Sequence, residues 1–228
     1  MILDDRGPLA QLRAGRLPRR LCQLLVGQVL LGASQGMLVR SCLGNAPWDV
    51  FHQGVSLHSG MSIGTVTIIV GVLVLLAWIP LRIWPGLGTV LNAVLIGLSL
   101  DVTVSLLPVW QHAGARTALM VMGVLLNGLA GGLYIGAQFG PGPRDGLMTG
   151  LHARTGVSMR LVRTGVEVSV VLIGWALGGI IGVGTVVYAL AIGPLTQFFL
   201  ERCIVRLPRA GANRPAPADL DENGADHA

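Results

Sequence analysis

The side chains able to do chemistry in this sequence are few, and several sit where charge is costly. Glu167 lies about six residues into an apolar run, roughly 9 Å deep at 1.5 Å per residue. Arg163 precedes it by four positions and Arg160 by seven, so all three fall on neighbouring turns of one helix. Two readings follow: a structural ion pair that anchors the helix at the inner interface, or a protonatable site for coupling or substrate binding. Asp49 and Asp145 each stand two residues after a proline, Pro47 and Pro143, in short segments between apolar runs. Asp101 lies in the outer half of another run and is the weaker candidate. Gln35, Asn92, Asn127 and Gln138 are further polar groups inside apolar runs; each alone reads as glue between helices, and together they suggest a polar interior. Nothing nominates an enzyme. There is no H-E-x-x-H, G-x-S-x-G or P-loop pattern, and His52, His58, His112, His152 and His227 have no metal-binding spacing. Cys22, Cys42 and Cys203 read as small packing residues. No catalytic residue, metal or cofactor is expected.

The elements that must position these groups follow from composition. Of 228 residues 52% are apolar and 12% charged, about half the charge of a soluble domain. The lipid bilayer is therefore the expected partner. All basic residues are arginines flanking apolar runs, and the net charge of +5 forms no continuous basic face, so nucleic acid is not expected. Six stretches approach the ~20 residues that a bilayer core requires: Leu21–Val39, Ser62–Leu81, Leu87–Leu107, Thr117–Ala137, Leu161–Gly179 and Gly184–Leu200. Their unbroken apolarity favours helices over the alternating strands of a barrel. The first, which follows a cluster of arginines, reads as an uncleaved helix because five more follow. Arginine places the N-terminus inside: 14 of the 16 then fall in cytoplasmic segments and 2, Arg40 and Arg116, outside. The expected organisation is an Arg-rich cytoplasmic N-terminus (1–20), a first half (21–107), a second half (117–200) and a disordered cytoplasmic tail (208–228).

The sequence also repeats itself. At a constant offset of 96 residues, Gly27–Gly97 matches Gly123–Gly193 at 23 of 71 positions without a gap; shared composition alone gives on the order of six. Gly44–Ser62 and Gly140–Ser158 share G-x-x-P-x-D-x-x-x-x-G-x-x-x-x-x-G-x-S, which pairs Pro47 with Pro143, Asp49 with Asp145 and Gly54 with Gly150. Proline fixes φ at a helix start and an acid in the first turn complements the dipole, so each segment predicts a short helix. About ten residues are too few to span, so each is an interfacial or re-entrant helix, or else a surface turn. Three spans per copy oblige the second copy to run opposite to the first. The fold expected is an all-α integral membrane protein of six transmembrane helices, built as two inverted three-helix repeats, each with a Pro-x-Asp helical or re-entrant loop. The matched G-x-x-x-G pairs, Gly32/Gly36 and Gly128/Gly132, predict close helix packing. Glu167 faces Gly71 in the repeat, so the acid is not dictated by the architecture.

The G-x-x-P-x-D loops, the G-M-S and G-V-S endings, the G-x-G-T pair (Gly86–Thr89, Gly182–Thr185) and the repeat itself resemble the YczE/YitT-type bacterial integral membrane proteins. The resemblance covers about Leu21 to Leu200. A short polar tail in place of a soluble C-terminal domain is similar to the YczE branch. The resemblance implies a multi-pass bacterial inner-membrane protein and a permease of unsettled substrate, and it supplies no catalytic residues. The expectation is a secondary transporter for an unidentified small solute, with Asp49, Asp145 and Glu167 lining or gating the path. The rival is a non-transporting scaffold, assembly factor or substrate-capture subunit that meets a protein partner through a cytoplasmic Arg144–Arg163 face.

Overall fold

Apolar runs with no polar partner outside the helix bond their backbones internally, and the computed structural model, which describes residues 11, 15–205 and 207, is helical throughout its regular elements. Among the described residues eight helices follow in order: α1 Leu17–Ser41, α2 Pro47–Ser59, α3 Ile63–Leu81, α4 Leu87–Leu106, α5 Ala113–Gly136, α6 Pro143–Thr155, α7 Met159–Ala176 and α8 Val183–Cys203. Among the described residues there is no strand. The tail 208–228 and most of the segment before α1 lie outside the described residues. Five helices, α1, α3, α4, α5 and α8, are long and apolar enough to cross a membrane. The 18 residues of α7 carry Arg160, Arg163 and Glu167, which makes it the most densely charged of the long helices; α1 has as many charges over 25 residues.

The predicted short helices exist. α2 and α6 have 13 residues each, begin on Pro47 and Pro143, and end on Gly60 and Gly156, both at φ +70°. That left-handed turn suits glycine, and the serine two residues later caps the next helix. Ser62 accepts from the amide of Thr65 (3.1 Å) and Ser158 from that of Leu161 (3.4 Å).

Polarity is arranged opposite to that of a soluble protein. Large apolar side chains point outward, among them Ile79, Leu106, Leu161 and Leu190, each at least 67% exposed. Gln28, Ser34, Gln35, Thr89 and Asn127 are buried. Inside, Asn127 donates to Ser34 Oγ (2.7 Å), Tyr188 donates to Asn127 Oδ1 (3.1 Å) and Gln28 donates to the Gly88 carbonyl (2.8 Å).

The centre is the pair α1 and α5, packed with the start of each beside the end of the other. Arg20 donates to the carbonyls of Ala137 (2.9 Å) and Gln138 (2.8 Å) at the end of α5. Arg116 donates to Ser41 (2.8 Å) and Cys42 (2.6 Å) at the end of α1. These arginines lie 96 positions apart, as do the carbonyls they hold. Each satisfies the unpaired acceptors of the opposite helix end with charge-assisted bonds. A second reciprocal contact lies beside it: the amide of Gly88 donates to the carbonyl of Phe139 (3.1 Å) and that of Gly184 to the carbonyl of Leu43 (2.8 Å). The G-x-G-T start of α4 thus docks on the loop before α6, and that of α8 on the loop before α2.

The remaining helices pack around this centre. α4 lies on α1 through Gly32 and Gly36, and α8 lies on α5 through Gly128 and Gly132. A Cβ at Gly32 would sit 2.4 Å from the Ile96 carbonyl oxygen, and one at Gly132 would sit 2.7 Å from Phe199 Cβ. The short helices cross over: α2 packs on α7, and α6 packs on α3. Gly54 lies against Gly174, and Gly150 against Leu81 and Ile83. Bulk is exchanged between the two crossings. Trp78 on α3 fills the space over Gly146, whereas its counterpart Gly174 on α7 receives Val50 and Phe51.

A side chain at Gly146 is expected to break the α3–α6 crossing, because its Cβ would lie 1.9 Å from the Trp78 ring. Gly146→Leu should destabilise by about 1–3 kcal/mol, read as a lowered melting temperature in detergent. Adding Trp78→Gly should return part of the loss; a double variant no better than the single one contradicts the crossing.

Candidate functional site

Both short helices begin at one place. Each starts on a proline whose preceding loop is pinned by the start of α4 or α8, so the first turns of α2 and α6 face each other across a cavity of about 420 Å³. Trp48 and Arg144, which share a position in the repeat, meet there with the guanidinium carbon 5.0 Å from the ring centroid. Pro47 and Trp48 of α2 and Pro143, Arg144 and Asp145 of α6 line the space. The middles of α1, α4 and α5 contribute Gln35, Asn92, Asn127 and Tyr134. The remaining wall comes from Arg163 and Glu167 of α7 and from Tyr188, Ala189 and Gly193 of α8.

The cavity is enclosed unequally. On the first-half side α3 packs along α4: a Cβ at Gly97 would sit 2.4 Å from the Gly64 carbonyl oxygen, and Gly71 lies against Ala93. On the second-half side α7 stands apart from α8, and a Cβ at Gly193, the counterpart of Gly97, meets open space. The counterparts of Gly64 and Gly71 are Arg160 and Glu167. Where the first half closes with glycine, the second carries charge.

The candidate acids separate into two groups. Asp145 and Glu167 both line the cavity. Arg163 Nε donates to Glu167 Oε1 at 3.0 Å, the ion pair that the spacing permits. Asp145 is open to the cavity and enclosed by protein on its other sides. That enclosure pushes its carboxyl above the usual range, opposed by the charges of Arg163 and Arg144. Asp49 lies elsewhere, fully buried behind Trp48, with its carboxylate 3.4 Å from His52 Nδ1. His52 Nδ1 is also 3.0 Å from Thr67 Oγ1, and burial pushes the imidazole below its usual value, opposed by the hydrogen bond to Asp49. Asp101 is outside the cavity. It accepts from Ser62 Oγ and from the Gly64 amide (2.8 Å), tying α4 to the start of α3.

Arg144 and Arg163 both line the cavity, and Arg163 is exposed together with Arg154 and Arg160. Three features escaped sequence reasoning. Arg144 registers there only by its charge, as a mark of the cytoplasmic side and one end of the expected partner face. His52 registers only as one histidine among five. Tyr134 and Tyr188 are not distinguished, although they are the chain's only tyrosines and both lie in apolar helices of the second half. The signal for Arg144 is its alignment with Trp48.

Residues 18–201 match the profile of a family described as a family of unknown function (DUF6198). The chain belongs to that family. It is similar to an uncharacterized protein of Haemophilus influenzae, 40% identical over 81% of this chain and 84% of the relative. It is also similar to the uncharacterized membrane protein YczE of Bacillus subtilis, 34% identical over 83% of this chain and 89% of that protein. YyaS of the same organism is 22% identical over 77% of this chain and 89% of its own length. No solved structure matches. With the apolar outer faces of its long helices, the family member described here is a multi-pass membrane protein of the YczE type.

The buried His52 generates a prediction for stability. Its ordinary value is 6.5 and its folded value is lower. Above pH ~6.5 both folded and unfolded chains hold it neutral; as pH falls below that value only the unfolded chain takes up the proton. Folding stability should therefore decline on acidification by up to ~1.4 kcal/mol per pH unit from this group. His52→Gln should flatten that acid limb in melting curves between pH 7.5 and 5.5, and an unchanged slope would contradict the assignment.

Proposed function

We propose that this protein is a secondary transporter for a small solute, built from six membrane-crossing helices in two inverted three-helix halves. The sixth crossing is α7, whose Arg163 and Glu167 line the cavity, and α2 and α6 are re-entrant helices that return from the middle of the bilayer. Both termini are cytoplasmic by the arginine balance, and the membrane is the bacterial inner membrane. The observation that carries this reading is the unequal closure of matched positions: Gly97 packed on Gly64 in one half, Gly193 facing open space in the other.

Inverted repeats yield alternating access when the two halves exchange conformations around a fixed site. In the state described, α3 and α4 seal the outer side while α7 and α8 part on the inner side. Asp145 faces the cavity while its counterpart Asp49 is buried with His52; in the exchanged state the two acids trade roles. Closing α7 on α8 brings Glu167 toward Ala189, as Gly71 meets Ala93 in the first half. A charged Glu167 resists that burial, and a paired or protonated one permits it. Glu167 and Asp145 are thereby the coupling groups, and Asp101 is a fastener of the outer gate.

Uptake into proteoliposomes tests the reading. Glu167→Gln and Asp145→Asn should each lower solute flux by at least about tenfold, in line with the cost of altering membrane-depth acids. Wild-type flux in both variants would remove the coupling role. A second experiment addresses the motion. With Cys22, Cys42 and Cys203 replaced, the pair Arg160→Cys and Gly193→Cys should crosslink only when α7 closes on α8. Crosslinking should abolish flux and protect the cavity arginines from a cytoplasmic arginine reagent. A crosslinked protein that still transports would rule out the exchange.

A further inference from the structure

The cavity contains a receptor that the proposed transport leaves unassigned. Arg163 is engaged by Glu167, but Arg144 makes no hydrogen bond or ion pair among the described residues. Its guanidinium faces the cavity and stands over the Trp48 ring. A guanidinium offers five donors in a planar fork that fits a carboxylate with two parallel bonds. The two 13-residue helices α2 and α6 also start at this point, each with a proline first, so their first-turn amides and dipoles favour negative charge in the same space.

Two other side chains point to a ligand independently. Gln35 Oε1 has no hydrogen-bond partner, and the Tyr134 hydroxyl, which accepts from the Gly142 amide, has no acceptor for its own proton; their residues are 4% and 5% exposed, and both line the cavity. Buried polar atoms are ordinarily paired, so an acceptor on α1 without a donor and a hydroxyl on α5 without an acceptor call for partners. The Gln35 oxygen can only accept, which requires a donor on the solute. Asp145, open to the same space, accepts as well. At about 420 Å³ the volume lies toward the small end for ligand sites.

We infer that the cavity binds a small carboxylate that carries its own amino or hydroxyl donor, an amino acid or a hydroxy acid. The carboxylate is taken by Arg144 and the starts of α2 and α6, the solute's donor by Gln35 or Asp145, and the Tyr134 hydroxyl donates to the bound solute. This rests on the transporter reading for its purpose but not for its test.

Isothermal titration in lipid nanodiscs with L-alanine, L-lactate, propionate and ethylamine separates the terms. Alanine or lactate should bind at least about tenfold more tightly than propionate, which lacks the donor, and ethylamine should not bind. Preference for alanine identifies an ammonium-bearing solute, and preference for lactate a hydroxy acid; either supports the inference. Arg144→Gln should abolish binding and Arg144→Lys should restore part of it, with both variants first shown monodisperse with a wild-type melting temperature. Tyr134→Phe, which removes one oxygen, should weaken binding several-fold and serves if the arginine variants fail to fold. Propionate binding as well as alanine and lactate, ethylamine binding equally, no binding by any probe, or wild-type affinity in Arg144→Gln or Tyr134→Phe would each overturn it. Binding without uptake into proteoliposomes leaves this site standing and removes transport; uptake of an unrelated solute without binding does the reverse.

Discussion

Non-helical backbone in the low-dielectric interior of a bilayer must find its hydrogen-bond partners within the protein. The chain enters the molecule twice as an irregular loop, before Pro47 and before Pro143, and both loops meet this requirement by borrowing from the opposite half. The Leu43 carbonyl is held by Gly184 and the Phe139 carbonyl by Gly88. Arg20 and Arg116 do the same for the ends of α5 and α1. Because neither half satisfies its own loop, neither is complete alone, and the repeat is a single interlocked body. The starts of α2 and α6 are brought to one point by the same bonds, so the cavity follows from the way backbone polarity is neutralised.

The exchange also explains where symmetry is kept and where it is given up. Positions that make the reciprocal bonds are matched in type: glycine with glycine at 88 and 184, arginine with arginine at 20 and 116, threonine with threonine at 89 and 185. Among the positions around the cavity Pro47 and Pro143 match, as do Ile96 and Ile192, but others differ: tryptophan against arginine at 48 and 144, glycine against glutamate at 71 and 167, asparagine against tyrosine at 92 and 188. A shared backbone problem selects the same residue twice, because the geometry of the solution is the same. Where no reciprocal bond is made, the backbone puts no such demand on the pair, and the residues are free to differ.

Much of the architecture was legible in sequence because hydropathy and helix punctuation act locally. Six apolar runs became six long helices with ends shifted by a few residues, and Pro47, Pro143, Gly60 and Gly156 delimit the short ones. The helices run past the apolar limits where a charge is satisfied at a distance. Arg20 looks like the end of a span, yet it is fully buried inside α1 because the carbonyls of Ala137 and Gln138 meet it. Asp101 looks like a group at membrane depth and is a fastener for the start of α3, a role fixed by a residue 39 positions earlier.

The site was half legible, for a related reason. Spacing gives the Arg163–Glu167 pair, since four residues on a helix is a local distance. Nothing local distinguishes Asp145 from Asp49: they occupy the same motif, and only the opening between α7 and α8 leaves one facing a cavity while the other is shut in with His52 and Thr67. Arg144 is informative through the residue it meets. A cationic group that served only to mark the cytoplasmic side would need no partner and would point away from the helices. This one is held over an indole contributed by its own counterpart in the repeat. The contact holds a donor fork at the place where two helix starts converge, an arrangement whose dipoles and charge both favour negative charge in that space.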